Sequence, residues 1–337
     1  MNVSDSQRIA SKLESLGYKS ASEEEADLVV VNACSVRQHA VDKIWGGIRN
    51  WKKAGKEIII TGCVVEDDRR KFKERDVKFL NIADLASWFG GDPREYLSIE
   101  PEFDDSKVAF ITIMSGCDNF CSYCAVPYTR GREKSRPIDE VATEVKKALT
   151  MGYKEILLLG QNVNSYGIKS PKPKCQITND NEIFIKLLKS IDKLPGDFTF
   201  NFMSSNPQDM TGDLIKCFTN LKKWPRELHF AMQSGDDEIL KKMNRKATSA
   251  QFLSLVNKLK KLMPDIKLST DIIVGFPGET RTQFNNTVKI CKKISFYKAY
   301  IFKYSPRPGT LAAKLIDDVA DAEKKRRYEV LNELINK

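Results

Sequence analysis

Three cysteines fall within eight positions of the stretch GCDNFCSYCAVPYTRGREKSRP (116–137): Cys117, Cys121 and Cys124. This C-x3-C-x2-C run offers three thiolates. A structural zinc site needs four tetrahedral ligands, and the two histidines of the chain, His39 and His229, lie far off in sequence. A 4Fe–4S cluster suits three thiolates better, because it is cysteine-ligated and one iron is then left without a protein ligand. An open coordination position is where a substrate or cofactor binds. Two more cysteines end apolar runs: Cys34 closes VVVNAC and Cys63 closes IIITGC. Parallel strands would bring both to one edge of a sheet, where open α/β folds bind ligands. The alternative is that they are small, buried and inert, as free cysteines commonly are. Cys175, Cys217 and Cys291 sit in an irregular insertion or on helices and read as structural, and the two histidines as surface or satisfied core residues. The loop after the cysteine run carries Arg130, Arg132, Lys134 and Arg136, which could guide RNA phosphates or simply be solvated.

Alternating helices and strands must position these residues. Up to about residue 90, Ile9, Leu13 and Leu16 at helical spacing predict a first helix, with Ser4 or Asp5 as its cap. Buried strands are predicted at 27–32 and 57–62, separated by the helix VRQHAVDKIWGGIRNWKK. This is an open, parallel α/β arrangement. A Gly-, Pro- and acid-rich linker follows at 90–105. From Lys107 six strands are expected, at 108–114, 155–160, 198–203, 227–232, 266–275 and 298–304, with amphipathic helices between them. Right-handed crossovers would wind six such units into a barrel or partial barrel. The cysteine run follows the first of these strands, at the carboxyl end where barrel chemistry is located. Residues 165–181 are an irregular insertion, and the chain ends in a charged helix. The expected division is an N-terminal α/β domain at 1–95, a linker at 96–106, a barrel at 107–320 and a terminal helix at 321–337.

With 337 residues, 41% of them hydrophobic, the chain has ample material for two or three cores. Its formal charge of +10 favours an acidic partner, nucleic acid first. No run approaches 18 apolar residues, and the N-terminus has no signal-peptide core, so a cytoplasmic protein without membrane partners is expected. Eight cysteines in that compartment are expected to bind metal or do chemistry, not to form disulfides.

The cysteine spacing, placed after the first strand of a six-unit barrel, resembles the radical S-adenosylmethionine (radical SAM) superfamily. NACSVRQHAVDKIWG, TGCVVE, CSYCAVPYTRGREKSRP, LLLGQNVNSYG, MQSGDDEILKKMNR, STDIIVGFPGET and YIFKYSPRPGT together resemble its methylthiotransferases, along nearly the whole chain. The likeness is greatest to the tRNA branch that makes 2-methylthio-N6-isopentenyladenosine. The resemblance implies a 4Fe–4S cluster on Cys117, Cys121 and Cys124 that binds SAM and cleaves it to a radical. It implies a second 4Fe–4S cluster, for which Cys34 and Cys63 match two of three ligands. It implies that one SAM methylates sulfur on the second cluster, and that the radical from another takes hydrogen from adenine C2. Gly160, Gln161 and Asn162 match the segment that contacts the SAM amino group. Gln233 and Ser234 are placed to face its ribose, VGFPGE (274–279) to line its adenine, and Tyr123 to pack on the adenine or shield the cluster. The implied partners are tRNA, met by Arg130, Arg132 and Arg136, and an electron donor such as flavodoxin or ferredoxin; the sulfur source stays open, and a monomer is expected.

Two departures from the family pattern stand at the ends. The family's first N-terminal cysteine precedes a Met-Asn pair, and here Met1 and Asn2 hold that spot. The family's C-terminal β-barrel (TRAM) domain would follow where Lys337 ends the chain. The expectation is a truncated chain with an incomplete second cluster, cleaving SAM but making little methylthiolated tRNA. Within the family, threonylcarbamoyladenosine in tRNA or an aspartate of a ribosomal protein is the alternative substrate. From another class, the alternative is a non-catalytic, zinc-containing RNA-binding protein.

Overall fold

A computed structural model describes residues 1–34, 38–89, 96–97, 99–101, 107–167 and 181–337. Most of the expected linker, the insertion and Cys175 lie outside the described residues. The N-terminal part runs α1 (Asn2–Ser15), β1 (Leu28–Cys34), α2 (Gln38–Lys53), β2 (Glu57–Cys63), α3 (Glu66–Glu74) and β3 (Lys78–Phe79). The three strands form one parallel sheet in the order β1-β2-β3. β2 is buried over six consecutive residues, as a central parallel strand with both faces covered must be. Ala33, Ile48, Ile58, Ile60, Val64 and Phe72 make its core. The two-residue β3 is too short for an alternation pattern to announce it.

The second part contains β4 (Val108–Thr112), β7 (Glu155–Leu159), β8 (Thr199–Phe202), β9 (Glu227–His229), β10 (Lys267–Val274) and β11 (Lys298–Lys303). All pair in parallel, in the sheets β4-β7-β8 and β9-β10-β11. A parallel bridge between Ser205 and Phe230 joins the two, giving six strands in sequence order, the open partial barrel that the repeating units predict. The expected strand 108–114 breaks at Ile113. Its last residues become β5 (Met114–Ser115), which turns away to pair antiparallel with β6 (Lys134–Ser135). The intervening helices are α4 (Val126–Thr129), α5 (Ile138–Thr150), α6 (Glu182–Asp192), α7 (Gly212–Phe218), α8 (Asp237–Lys242), α9 (Ser249–Leu262), α10 (Arg281–Ile294) and α11 (Asp321–Ile335). α9 and α10 each open on a Thr…Gln capping box, Thr248 with Gln251 and Thr280 with Gln283, which satisfies two of the otherwise orphaned amides at a helix start. The strands and helices bury one continuous core that includes Ile111, Leu158, Phe202, Phe230, Ile272 and Ile301. Cys217 and Cys291 belong to it, and His229 is buried with its ring nitrogens 3.2 Å from Ser269 and Asp271 oxygens. Among the described residues no helix is long and apolar enough to cross a membrane.

Ser4 and Asp5 are not caps. α1 starts two residues earlier, with no side-chain cap at Met1. Both residues are fully buried: Ser4 Oγ lies 3.0 Å from Thr112 Oγ1, and Asp5 pairs with Arg130. One helical turn on, Arg8 donates Nη2 to both oxygens of Glu144 at 3.0 and 3.1 Å, and Arg136 Nη1 reaches the same carboxylate at 2.7 Å. α1 is therefore fastened to the barrel by two buried charge networks.

Candidate functional site

The hairpin of β5 and β6 presents residues 116–133 as one loop, and all three clustered cysteines lie in it. Its entry needs glycine. Gly116 has φ +84°, and a Cβ there would stand 2.1 Å from the Arg132 carbonyl oxygen. Inside the loop, Asp118 N donates to Glu133 Oε1 at 3.1 Å and Glu133 N to Asp118 Oδ1 at 3.2 Å. Ser165 Oγ donates to the second Glu133 oxygen at 2.8 Å. The tip is tied to the end of α8: Ser122 N and Oγ donate to the Met243 and Lys242 carbonyls, and Asn244 Nδ2 to that of Phe120.

This frame sets the sulfur environments. Asn119 Nδ2 stands 3.6 Å from Cys117 Sγ, and Arg245 Nη1 stands 3.8 Å from Cys121 Sγ. Burial pushes the Cys117 and Cys124 thiols up to about 12, with Cys121 adding to each. Thiols held neutral by desolvation ionise when a metal's positive charge replaces the proton, so the trio fits a cysteine-ligated cluster. Among the described residues no three His, Cys, Asp or Glu side chains converge as one mononuclear ion requires. Tyr123 packs against the cluster that includes Ile239, Met243 and Phe276; burial raises its phenol well above the ordinary value, and Cys121 adds to the rise.

A cavity of about 480 Å³ opens against this loop, lined by Tyr123, Cys124 and Val126 and by the carboxyl ends of β10 and β11. Its size falls within the range of small-molecule sites. Ile273, Ile301, Phe302 and Tyr304 give it apolar walls; Asp271, Lys303, Arg307 and Gln233 are its polar groups. Gln233 adopts φ +70°, a left-handed conformation that costs a non-glycine residue about 1–2 kcal/mol. Two backbone hydrogen bonds to β10, Gln233 N to Asp271 O and Ile273 N to Gln233 O, hold it there. Its neighbour Ser234 turns away: its hydroxyl stands 3.4 Å from Thr287 Oγ1 and accepts from Asp236 N, so it does not line this cavity. At the end of β7, Gly160 leaves room for Met114, since a Cβ there would stand 2.6 Å from that side chain. Gln161 Oε1 and Asn162 Oδ1 are buried acceptors without a partner among the described residues, while Asn162 Nδ2 donates to Asp209 at 2.7 Å.

Cys34 and Cys63 are register partners at the ends of β1 and β2. Gly62, inside β2, has φ +95°, and a Cβ there would stand 2.4 Å from the Ala33 carbonyl oxygen. Burial raises the Cys63 thiol, and Arg130 pulls it back down. Arg307 is buried; burial lowers its pKa, against which the charges of Asp68, Cys34 and Asp42 act. Arg245, Glu133 and Arg307 carry no spacing signal; Arg245 lies 124 residues from the cysteine it touches.

The structure corrects the expectation that the arginines of the loop face RNA. Arg130 and Arg136 have side chains 1% and 5% exposed, spent on Asp5 and Glu144. Arg132 alone of the three is half-exposed, 3.3 Å from Asp118 and stacked over Phe120. His39 falls within α2.

The family model described as the radical SAM superfamily matches residues 111–291, and that of the uncharacterized protein family UPF0004 matches residues 1–82. The tRNA-2-methylthio-N(6)-dimethylallyladenosine synthase of Clostridium novyi (strain NT) is 40% identical over 365 aligned positions, covering all of this chain and 79% of that one. The protein of the same name in Thermoanaerobacter sp. (strain X514) is 40% identical, with 76% of its length covered. In fold, the radical SAM methyltransferase TsrM of Kitasatospora setae is similar, with a TM-score of 0.59 at 13% identity over 90% of this chain and 66% of that one. Family models over both parts of the chain, together with relatives at this identity along its whole length, place it: the chain belongs to the radical SAM methylthiotransferase family.

Proposed function

We propose that the chain transfers a methylthio group to C2 of N6-isopentenyladenosine in tRNA, using SAM both as methyl donor and as radical source. The observation that carries this reading is the apolar-walled cavity beside Cys124 and Tyr123, within a chain whose relatives at 40% identity bear that activity in their names. Ile273, Ile301, Phe302 and Tyr304 offer a hydrocarbon substituent an apolar wall. Radical SAM chemistry depends on a 4Fe–4S cluster and SAM; on this chain Cys117, Cys121 and Cys124 would hold the cluster, which supplies the electron that cleaves SAM. Gln161 and Asn162 would accept hydrogen bonds from the SAM ammonium through their unspent oxygens. Gln233 and Tyr123 would orient the nucleoside part, and the half-buried Arg245 would steady the charge of Cys121. Cys34 and Cys63 would contribute two thiolates to a second cluster. Arg132 remains available to RNA phosphate. A flavodoxin or ferredoxin would deliver the electrons. Residues 1–95 and 107–320 form the two working domains in this reading.

The test is expression of the chain in a strain that makes isopentenyladenosine but lacks the methylthio group, with nucleosides read by mass spectrometry. The expected product is 2-methylthio-N6-isopentenyladenosine. Methylthiolation of threonylcarbamoyladenosine alone would move the assignment to the sister branch.

A further inference from the structure

A second cavity, of about 950 Å³, opens where β2 and β3 begin, and six cations line it: Lys52, Lys56, Arg69, Arg70, Lys73 and Lys78. Three carboxylates share the lining, which leaves a net charge of +3 (six minus three). Three of the cations are fixed in place by neutral groups. Lys52 Nζ donates to the Arg75 carbonyl, and Lys56 Nζ to the Glu24 and Ala26 carbonyls at 2.8 and 2.6 Å. Arg69 Nε donates to the Val64 carbonyl at 2.9 Å, and its guanidinium lies over the Phe79 ring, 4.6 Å from the centroid. A carbonyl or a ring face holds a cation without cancelling its charge. Lys73 and Lys78 are exposed and make no hydrogen bond or ion pair among the described residues. Capping a few carbonyls does not require six cations on one concave surface, where they repel each other. A bound polyanion removes that repulsion, and a cleft of one dominant sign concentrates its field on such a partner. The cluster loop does not offer RNA the same charge, since Arg130 and Arg136 are spent on Asp5 and Glu144 and Arg132 is left.

Resting on the tRNA reading above, we infer that this groove binds the phosphate backbone of the tRNA at a distance from the reacting base. β2 runs seven residues from Glu57 at the groove to Cys63, about 20 Å at about 3.3 Å per step. An acidic electron carrier is the other class of partner that such charge attracts. It would have to deliver its electron to the cysteine sites, and the length of β2 separates the groove from them. An extended polyanion reaches both places at once. Phe79 is the groove's one aromatic among the described lining residues, and Arg69 covers its face. With no ring left for a base to stack on, the groove contacts phosphate and positions the RNA without reading its sequence.

The experiment is filter binding of the full chain to two unmodified tRNA transcripts with different anticodon-stem sequences, between about 50 and 200 mM salt. Replacing Lys73 and Lys78 together by Gln should make the slope of log affinity against log salt shallower by about 1.4–1.8, two phosphate contacts at about 0.7–0.9 each. The change should be the same on both transcripts. Replacing Lys292 and Lys293 by Gln removes the same charge from the exposed last turn of α10 and should leave the slope unchanged. Glu57→Gln, which removes an acid from the groove, should tighten binding and gives a readout of opposite sign. An unchanged slope for the Lys73 and Lys78 variant, or equal changes for the two double variants, would overturn the inference while the tRNA reading stands. Weakened binding of reduced flavodoxin by that variant, with tRNA binding intact, would overturn it in favour of an acidic protein partner. A parent that binds neither transcript would overturn the tRNA reading and the inference with it.

Discussion

Replacing Glu144 by Ala should loosen the attachment of α1 to the barrel, and with it the relation between the two cysteine sites. Glu144 accepts two charge-assisted hydrogen bonds from Arg8 and forms an ion pair with Arg136 at 2.7 Å, and none of the three side chains is more than 6% exposed. Removing the carboxylate leaves the buried Arg8 with only the Ile99 carbonyl and Arg136 with the Thr112 carbonyl and a longer, 3.7 Å approach to Glu140. Breaking such a buried pair costs about 3–5 kcal/mol, a large share of the roughly 5–15 kcal/mol that holds a typical domain together. At about 1.4 kcal/mol per factor of ten, the open population rises at least a hundredfold. Urea denaturation of parent and variant, analysed by linear extrapolation, measures the difference. A companion variant that exchanges Arg8, Glu144 and Arg136 together for apolar residues of similar size should recover most of the loss, because the desolvation penalty disappears with the charges. A cost below about 1 kcal/mol for Glu144→Ala, the size of a surface ion pair, would refute the claim that this network fastens α1.

Further outcomes follow from the site. The anaerobically reconstituted parent should bind about four irons at Cys117, Cys121 and Cys124; replacing all three by Ala should abolish reductive SAM cleavage, and undiminished release of 5′-deoxyadenosine would refute the assignment. In filter binding of tRNA, Arg132→Ala should reduce the salt slope by about 0.7–0.9, the loss of one phosphate contact, whereas Arg136→Ala should leave the slope unchanged while lowering stability. Gly116→Ala, which must relieve a 2.1 Å approach to the Arg132 carbonyl, should cut iron loading at the clustered cysteines, measured by iron content against the parent. Hydrogen bonds from Arg326 and Arg327 hold Glu323 at about 2, below its ordinary 4.5. A depressed carboxylate stabilises the fold above its unfolded pKa, and that contribution fades as pH falls from about 4.5 towards about 2. Solvent screening keeps the effect small, so Glu323→Gln should flatten the Tm–pH curve slightly, in that window alone.

The sequence by itself determined what depends on local order. Periodicity located both parallel sheets, because buried strands must be apolar runs and their covering helices must show one apolar face. The C-x3-C-x2-C spacing singled out one loop, and the structure presents Cys117, Cys121 and Cys124 together on it between β5 and β6. The placement of Cys34 and Cys63 at strand ends followed from parallel pairing, and the register that sets them side by side bears out that geometry. Tertiary structure alone decided which partner each charged residue meets. Arg130, Arg132 and Arg136 read alike in sequence, yet two are buried on α1 and α5 carboxylates 125 and 8 residues away, and one reaches solvent. Asp5 looks like a helix cap until the fold surrounds it with Tyr96 and Arg130. Arg245 finds Cys121 across a chain separation that no spacing rule spans. Secondary structure is dictated by interactions within a few residues, which a sequence displays. Charge pairing in a core is dictated by which surfaces are desolvated together, and only the folded chain brings those surfaces into contact.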